Sequence, residues 1–206
     1  MKALKTVVYI LFFLIAGLVA LKAGPSFSVR TGEEEHFKTR EKVFDIFRRR
    51  LPQQYTYQAG PIANTIMAEA AKHKIDPMII TAVIAGESNF NPVTMGPIGE
   101  IGLMQLRPST AKWIASMTMQ KWTGAHSLRN PVMNIRIGMA YLGYLKKRYS
   151  PRSGFLYLAA YNMGETSLLR FLSKNIQPNI YTKHVMKNYL ALVREVSVWP
   201  RLAEVQ

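Results

Sequence analysis

Cysteine is missing from all 206 residues, which removes a thiolate nucleophile, a Cys-ligated metal, a disulfide framework and an acylated N-terminal cysteine. Histidine is scarce, and His36, His73, His126 and His184 have no short metal-ligand spacing, so a zinc site is not expected, and no cofactor is expected either. Acidic residues are few, 12 against 27 Lys and Arg, and only Asp45 and Asp76 are aspartates. Strand patterning is also lacking: from Gly60 onward no stretch alternates apolar and polar residues with period two, and neither an internal repeat nor a low-complexity tract is present.

What is present starts with the charge. A formal +15 is spread along the chain, with 17 Lys and Arg against 7 Asp and Glu in residues 53–206. A diffuse excess of this kind points to a polyanionic partner, and nucleic acid, anionic lipid and an anionic cell-wall polymer all fit it. The length suits one globular domain with a core of its own plus some appended sequence.

At the N-terminus, Lys2 and Lys5 precede an unbroken apolar stretch from Val7 to Leu21, closed by Lys22. This reads as an export or anchoring signal over residues 1–24, short for a membrane span of about 20 residues. Only Ala23 suits a cleavage site, and Leu21 fits such a site badly. A retained anchor with the remainder outside is therefore the preferred expectation over a cleaved signal peptide. Export takes the chain away from DNA and RNA, and no clustered basic recognition helix is present, so nucleic acid is not an expected partner.

Residues 25–58 read as an amphipathic helix and linker. Glu33, Glu34 and Glu35 open the helix, Phe37, Phe44, Phe47 and Leu51 mark its apolar face, and Arg48-Arg49-Arg50 end it, an order that suits the helix dipole. Residues 59–200 then read as helix after helix, a mostly α domain. Pro61, Asp76-Pro77, Pro108 and Asn130-Pro131 are the start signals. Shorter helices are expected over Phe155 to Tyr161 and Leu168 to Leu172, and a last one from Tyr181 to Val198.

In the helix begun by Asp76-Pro77, the apolar stripe of Ile80, Val83 and Ile84 continues at the same spacing onto Glu87. A carboxylate thus stands where a core residue belongs. Burial and the negative end of the helix dipole both disfavour its charged form, which raises its pKa toward that of a general acid. The plain alternative is a buried Glu paired with a base or with backbone donors. Beyond it, Gly96, Gly99 and Gly102 mark a loop into Leu103-Met104-Gln105. Ala159-Ala160-Tyr161-Asn162-Met163-Gly164 ends an apolar helix with side chains suited to sugar stacking and hydrogen bonding.

Three segments together, Glu87-Ser88, Gly102-Leu103-Met104-Gln105 and Ala160-Tyr161-Asn162-Met163-Gly164, resemble the soluble-lytic-transglycosylase-like (SLT) catalytic domain of the lysozyme superfamily. A fourth stretch, Asn130-Pro131 through Asn134-Ile135, Gly138 and Tyr141-Leu142, looks like the long helix that family places between its second and third motifs. The resemblance spans roughly Ile62 to Val193, and order and spacing agree across it. It implies a lysozyme-like single catalytic domain behind the N-terminal hydrophobic signal or anchor helix, and a lytic transglycosylase acting on peptidoglycan glycan strands. It also implies cleavage between N-acetylmuramic acid and N-acetylglucosamine without water, leaving 1,6-anhydromuramyl ends. Glu87 would act as acid and then base. Ser88 would help position the sugar or the carboxyl group, Met104 and Gln105 would line the cleft, and Tyr161 and Asn162 would contact the muramyl residue.

The acid inventory bears on this separately, because ordinary glycoside hydrolysis uses a second carboxylate. After Glu87 only Glu100, Glu165, Glu195 and Glu204 remain, and Glu100, in the glycine loop, is the one serious candidate. A water-using muramidase of the same fold is thus one alternative; a non-catalytic glycan-binding scaffold subunit of an envelope machine is another. Two positions depart from the family pattern. Pro97, Glu100 and Ile101 stand where small residues are common, and His184 falls about where many members carry a tyrosine, open to a hydrogen bond with Glu87 or to a plain helix-face role. The expected place is extracytoplasmic, at the periplasmic or cell-wall side, with membrane contact through the N-terminal helix. A short tethered domain also suits local opening of the wall for a secretion, pilus or division complex.

Overall fold

The computed structural model describes residues 26–150 and 154–203. The expected signal or anchor, residues 1–24, lies outside them. Among the described residues no helix is long and apolar enough to cross a membrane. The described residues fall into two compact units, divided between Thr39 and Arg40. In the first, Lys38 pairs with Glu34 one helical turn away, and Phe37 is 60% exposed.

The second unit is helical, as the start signals require. Helix α1 (Ser26–Arg50), which belongs to this unit only from Arg40 onward, leads into a 3-10 turn (Gln53–Gln58) and α2 (Ala59–His73). Then come α3 (Pro77–Ser88), α4 (Pro108–Met117), a second 3-10 turn (Ala125–Arg129) and α5 (Pro131–Tyr149). Helices α6 (Leu156–Met163), α7 (Glu165–Ser173) and α8 (Ile180–Ala203) complete it. Two starts are capped as their sequences dictate. The Asp76 carboxylate accepts the Met78 N–H at 2.7 Å and the Asn130 side chain accepts the Met133 N–H at 3.0 Å, each with Pro in the first turn.

Helix α1 departs from expectation in two ways. It begins at Ser26, so the glutamate trio lies beyond the first turn and only Arg48-Arg49-Arg50 are placed to meet the dipole. Its buried seam runs through Val43, Ile46, Phe47 and Leu51, with Phe44 only partly covered. Spacings of three and four residues put Val43 and Ile46, rather than Phe44, on the face that packs. Phe47 meets Phe90 edge to face at 5.2 Å, so the core extends upstream of residue 59.

Helix α5 is central, packing on α2, α4 and α6, while α3 lies mainly against α8. Among the described residues, the connection from α3 to α4 is the one irregular stretch with β character, two isolated bridges pairing Ile101 with Met95 and with Leu106. This looped segment, residues 89–107, forms one wall of the site.

Candidate active site

Helix α3 delivers Glu87 in its last turn, and the chain then breaks sharply. Asn89 and Phe90 both take left-handed conformations, at φ 46° and 64°, with Phe90 fully buried against Phe47. Two successive non-glycine residues in that region carry strain, and packing of the Phe90 ring holds it. The break fixes Glu87 in the lining of a cleft of about 370 Å³, whose walls include Glu100, Gln105, Arg107, Thr110, Tyr141, Tyr161 and Asn162.

Glu87 is half-buried. Burial pushes its carboxyl above the usual carboxylate range, the nearby charge of Glu100 adds to the rise, and a hydrogen bond donated by the Tyr181 hydroxyl opposes it. Tyr181, at the start of α8, is itself pushed well up by burial and by the Glu87 charge, so it remains a donor. The sequence reading missed this residue. The position departing from the family pattern was His184, yet the tyrosine stands one turn earlier on the same helix. His184 is exposed, its Nε2 lies 3.4 Å from Asn188 Nδ2, and its ring sits over Gly86.

The other expected residues separate into cleft and support. Gln105, Tyr161 and Asn162 line the cleft with Glu87. Ser88 and Met104 do not. The Ser88 hydroxyl is buried, 2.9 Å from the Leu103 carbonyl and 3.2 Å from that of Ile84, so it ties α3 to the loop. Met104 is fully buried, with its side chain packed where a Cβ on Gly138 would stand. Its carbonyl accepts the Tyr161 hydroxyl at 2.7 Å.

Asn134, fully buried on α5, holds the loop in shape. Its Oδ1 accepts the Met104 N–H at 2.8 Å, and its Nδ2 donates to the carbonyls of Ile101 (2.8 Å) and Leu128 (3.0 Å). Gly102 has φ +84°, and a Cβ there would collide with Asn134 Nδ2 and the Leu128 carbonyl, so only glycine fits. Gln105, also left-handed at φ 46°, donates from Nε2 to the carbonyls of Gly102 (2.9 Å) and Thr94 (3.1 Å).

Glu100, in the looped segment, also lines the cleft and is engaged there. Its carboxylate accepts the Ile98 N–H at 3.2 Å and pairs with Arg107 Nε at 3.4 Å. Tyr141, tilted against Tyr161 at 5.4 Å between ring centres, is pushed up to about 12 by burial, so its hydroxyl stays protonated over the working pH range.

The half-buried acid under a tyrosine donor lies in a cleft of a mostly α, lysozyme-like domain, and that domain has relatives among known proteins. Residues 64–183, more than half the chain, match the family described as the Transglycosylase SLT domain. The chain belongs to this family and is thereby a lytic-transglycosylase-type enzyme. It is 34% identical over 146 residues to the endo-type membrane-bound lytic murein transglycosylase A of Klebsiella pneumoniae, covering 61% of this chain and 70% of that protein. The protein of the same description in Cronobacter sakazakii is 33% identical over 144 residues, with the same coverage.

Two solved structures share the fold. An inactive mutant of the lytic transglycosylase Slt of Pseudomonas aeruginosa has a TM-score of 0.57 at 24% identity, over 70% of this chain and 26% of that one. The soluble lytic transglycosylase of Escherichia coli has a TM-score of 0.54 at 23% identity, over 79% of this chain and 28% of that one. This chain thus matches only about a quarter of each of those longer proteins.

Proposed function

We propose that the enzyme cleaves the bond between N-acetylmuramic acid and N-acetylglucosamine in peptidoglycan and leaves a 1,6-anhydromuramyl end, with Glu87 as acid and then base. Protonated Glu87 gives its proton to the glycosidic oxygen as the C1–O bond breaks, and an oxocarbenium-like centre forms at C1. The C6 hydroxyl of the same sugar then attacks C1 and returns its proton to the Glu87 carboxylate, so no water is consumed. The observation that carries this reading is Glu87 itself, the one carboxyl group among the described residues whose pKa is raised on balance, set in the cleft within the segment that matches the family. Mass spectrometry of the products from purified peptidoglycan tests it. Anhydromuramyl ends are expected, and reducing ends would overturn the one-acid mechanism.

A water-using muramidase remains the second reading because Glu100 lines the same cleft. Its ion pair with Arg107 and its bond to the Ile98 amide suit a wall element better than a base. Glu100→Gln is therefore expected to retain cleavage within about tenfold, a hydrolytic base being worth about 10²–10⁴. Removing its negative charge also lowers the Glu87 pKa, so the alkaline limb of the kcat/KM profile should move to lower pH. A collapse of activity would favour the hydrolase.

Tyr181→Phe acts in the other direction. The hydroxyl's bond favours the carboxylate, so its loss raises the Glu87 pKa and moves the same alkaline limb to higher pH. Activity at the optimum should fall between about tenfold and a hundredfold, because the acid is no longer held in place. A limb that stays put or moves down would show that Tyr181 does not control Glu87.

The same reading places the enzyme on the extracytoplasmic side, as the membrane-bound description of its relatives supports. The anchor, residues 1–24, and service to a secretion, pilus or division complex are parts of the proposal that fractionation and co-purification from cells can test.

A further inference from the structure

Trp113, on α4, is a large aromatic side chain left 43% exposed. It is not loose on the surface. Its ring meets Tyr144 edge to face at 5.1 Å and Tyr141 at 6.3 Å, the interplanar angles being 88° and 77°. Tyr141 in turn lies against Tyr161, and both line the cleft with Glu87. Thr110, about one turn before Trp113 on α4, lines the cleft as well. A row of aromatic rings therefore runs from Tyr161 and Tyr141, which line the cleft, to a partly open indole fixed by two tyrosines.

Packing alone does not require this arrangement, since Ala111, Ile114 and Ala115 already supply the buried face of α4. A rigid, flat indole packed on a lining residue of a polar cleft offers what a pyranose ring recognises: an apolar face for the sugar's C–H groups at little cost in side-chain freedom.

We propose that Trp113 is a stacking platform for an N-acetylated sugar of the glycan strand, one that lies beyond the rings held in the cleft itself. The platform rests on the reading of the cleft as a glycan site, and it selects long strands over short fragments.

The test compares Trp113→Ala, Trp113→Phe and Trp113→Leu in the full chain, on muropeptide tetrasaccharides and on strands several times longer. On long strands Trp113→Ala should raise KM about tenfold with kcat unchanged, the value of one stacked ring, while the tetrasaccharide changes less than twofold. Trp113→Phe, which keeps a flat face, should recover most of the loss, and Trp113→Leu, which only fills space, should not. Equal losses on both lengths, equal recovery by Phe and Leu, or a wild-type KM on long strands for Trp113→Ala would each overturn the platform.

Affinity of the Glu87→Gln chain for long strands, with and without Trp113→Ala, reads the platform without cleavage. An unchanged affinity overturns it whatever the chemistry. Reducing ends from the wild type would instead overturn the proposed mechanism, and a length-dependent Trp113 effect would survive that result.

Discussion

Glu87→Gln is expected to abolish cleavage of peptidoglycan, lowering kcat at least 10²–10⁴-fold, the range associated with a positioned general acid. Gln matches the shape of Glu, and its amide oxygen can still accept the Tyr181 hydroxyl, so the cleft should persist. Activity is lost because an amide has no proton to give the leaving oxygen and cannot take one from the C6 hydroxyl. Stability should change in the opposite sense. A carboxyl whose folded pKa lies above its unfolded value makes the native state bind the extra proton, so its contribution to stability falls as pH rises from the ordinary value of 4.5 through the folded pKa. The variant escapes that loss. Its Tm should exceed that of the wild type at pH 7, and the two should converge below pH 4.5. A Tm for Glu87→Gln equal to or below wild type across this range would mean that Glu87 is not held in a site unfavourable to its charge. Retained cleavage would remove it from the mechanism.

Asn134→Ala should produce the largest loss of stability. It strands the Met104 N–H and takes a donor from the Ile101 and Leu128 carbonyls, all in a fully buried setting. Leaving such groups unpaired costs about 1–3 kcal/mol each, and partial replacement by water brings the expected total to about 3 kcal/mol or more. That corresponds to a fall in Tm of roughly 6–12 °C for a chain of this size. Asn134→Asp separates the hydrogen bonds from side-chain volume. It keeps the acceptor for Met104 but replaces two donors with a carboxylate facing two carbonyls, so it should be no better than Ala. Denaturant unfolding of the two variants checks both expectations, and a loss below about 1 kcal/mol in each would show that the loop does not depend on Asn134.

Local chemistry explains which parts of this structure were legible in the sequence. Asp76-Pro77 and Asn130-Pro131 carry their cap and first-turn signals within a few residues, and both helices start where those signals stand. Glu87 announced itself by breaking an apolar stripe, again a local pattern. Partnerships across long separations left no such trace. Tyr181 and Glu87 are 94 positions apart, and neither helical period nor composition ties them. The nearest clue was an irregularity at His184, one turn off. Asn134 read as part of a helix motif, and its three backbone partners became visible only once α5 stood against the loop. Ser88 and Met104 sit within motif segments, yet geometry turns them toward the protein, because a motif records the residues that build a site as well as those that touch its ligand. The seam of α1 was set by tertiary packing on Phe90, which outweighed the phenylalanine spacing.

Three helices grip adjacent backbone groups of a single short segment: α3 through Ser88 at Leu103, α5 through Asn134 at Met104, and α6 through Tyr161 at the Met104 carbonyl. A loop fastened this way has no cheap local opening of its own, so the Met104 amide should exchange its hydrogen only when the helices separate, near the free energy of global unfolding. This wall of the cleft then has a fixed shape before any strand arrives. In the first encounter it is the glycan that must bend to the enzyme, and the work of distorting the sugar is drawn from contacts along the strand rather than from reshaping the wall.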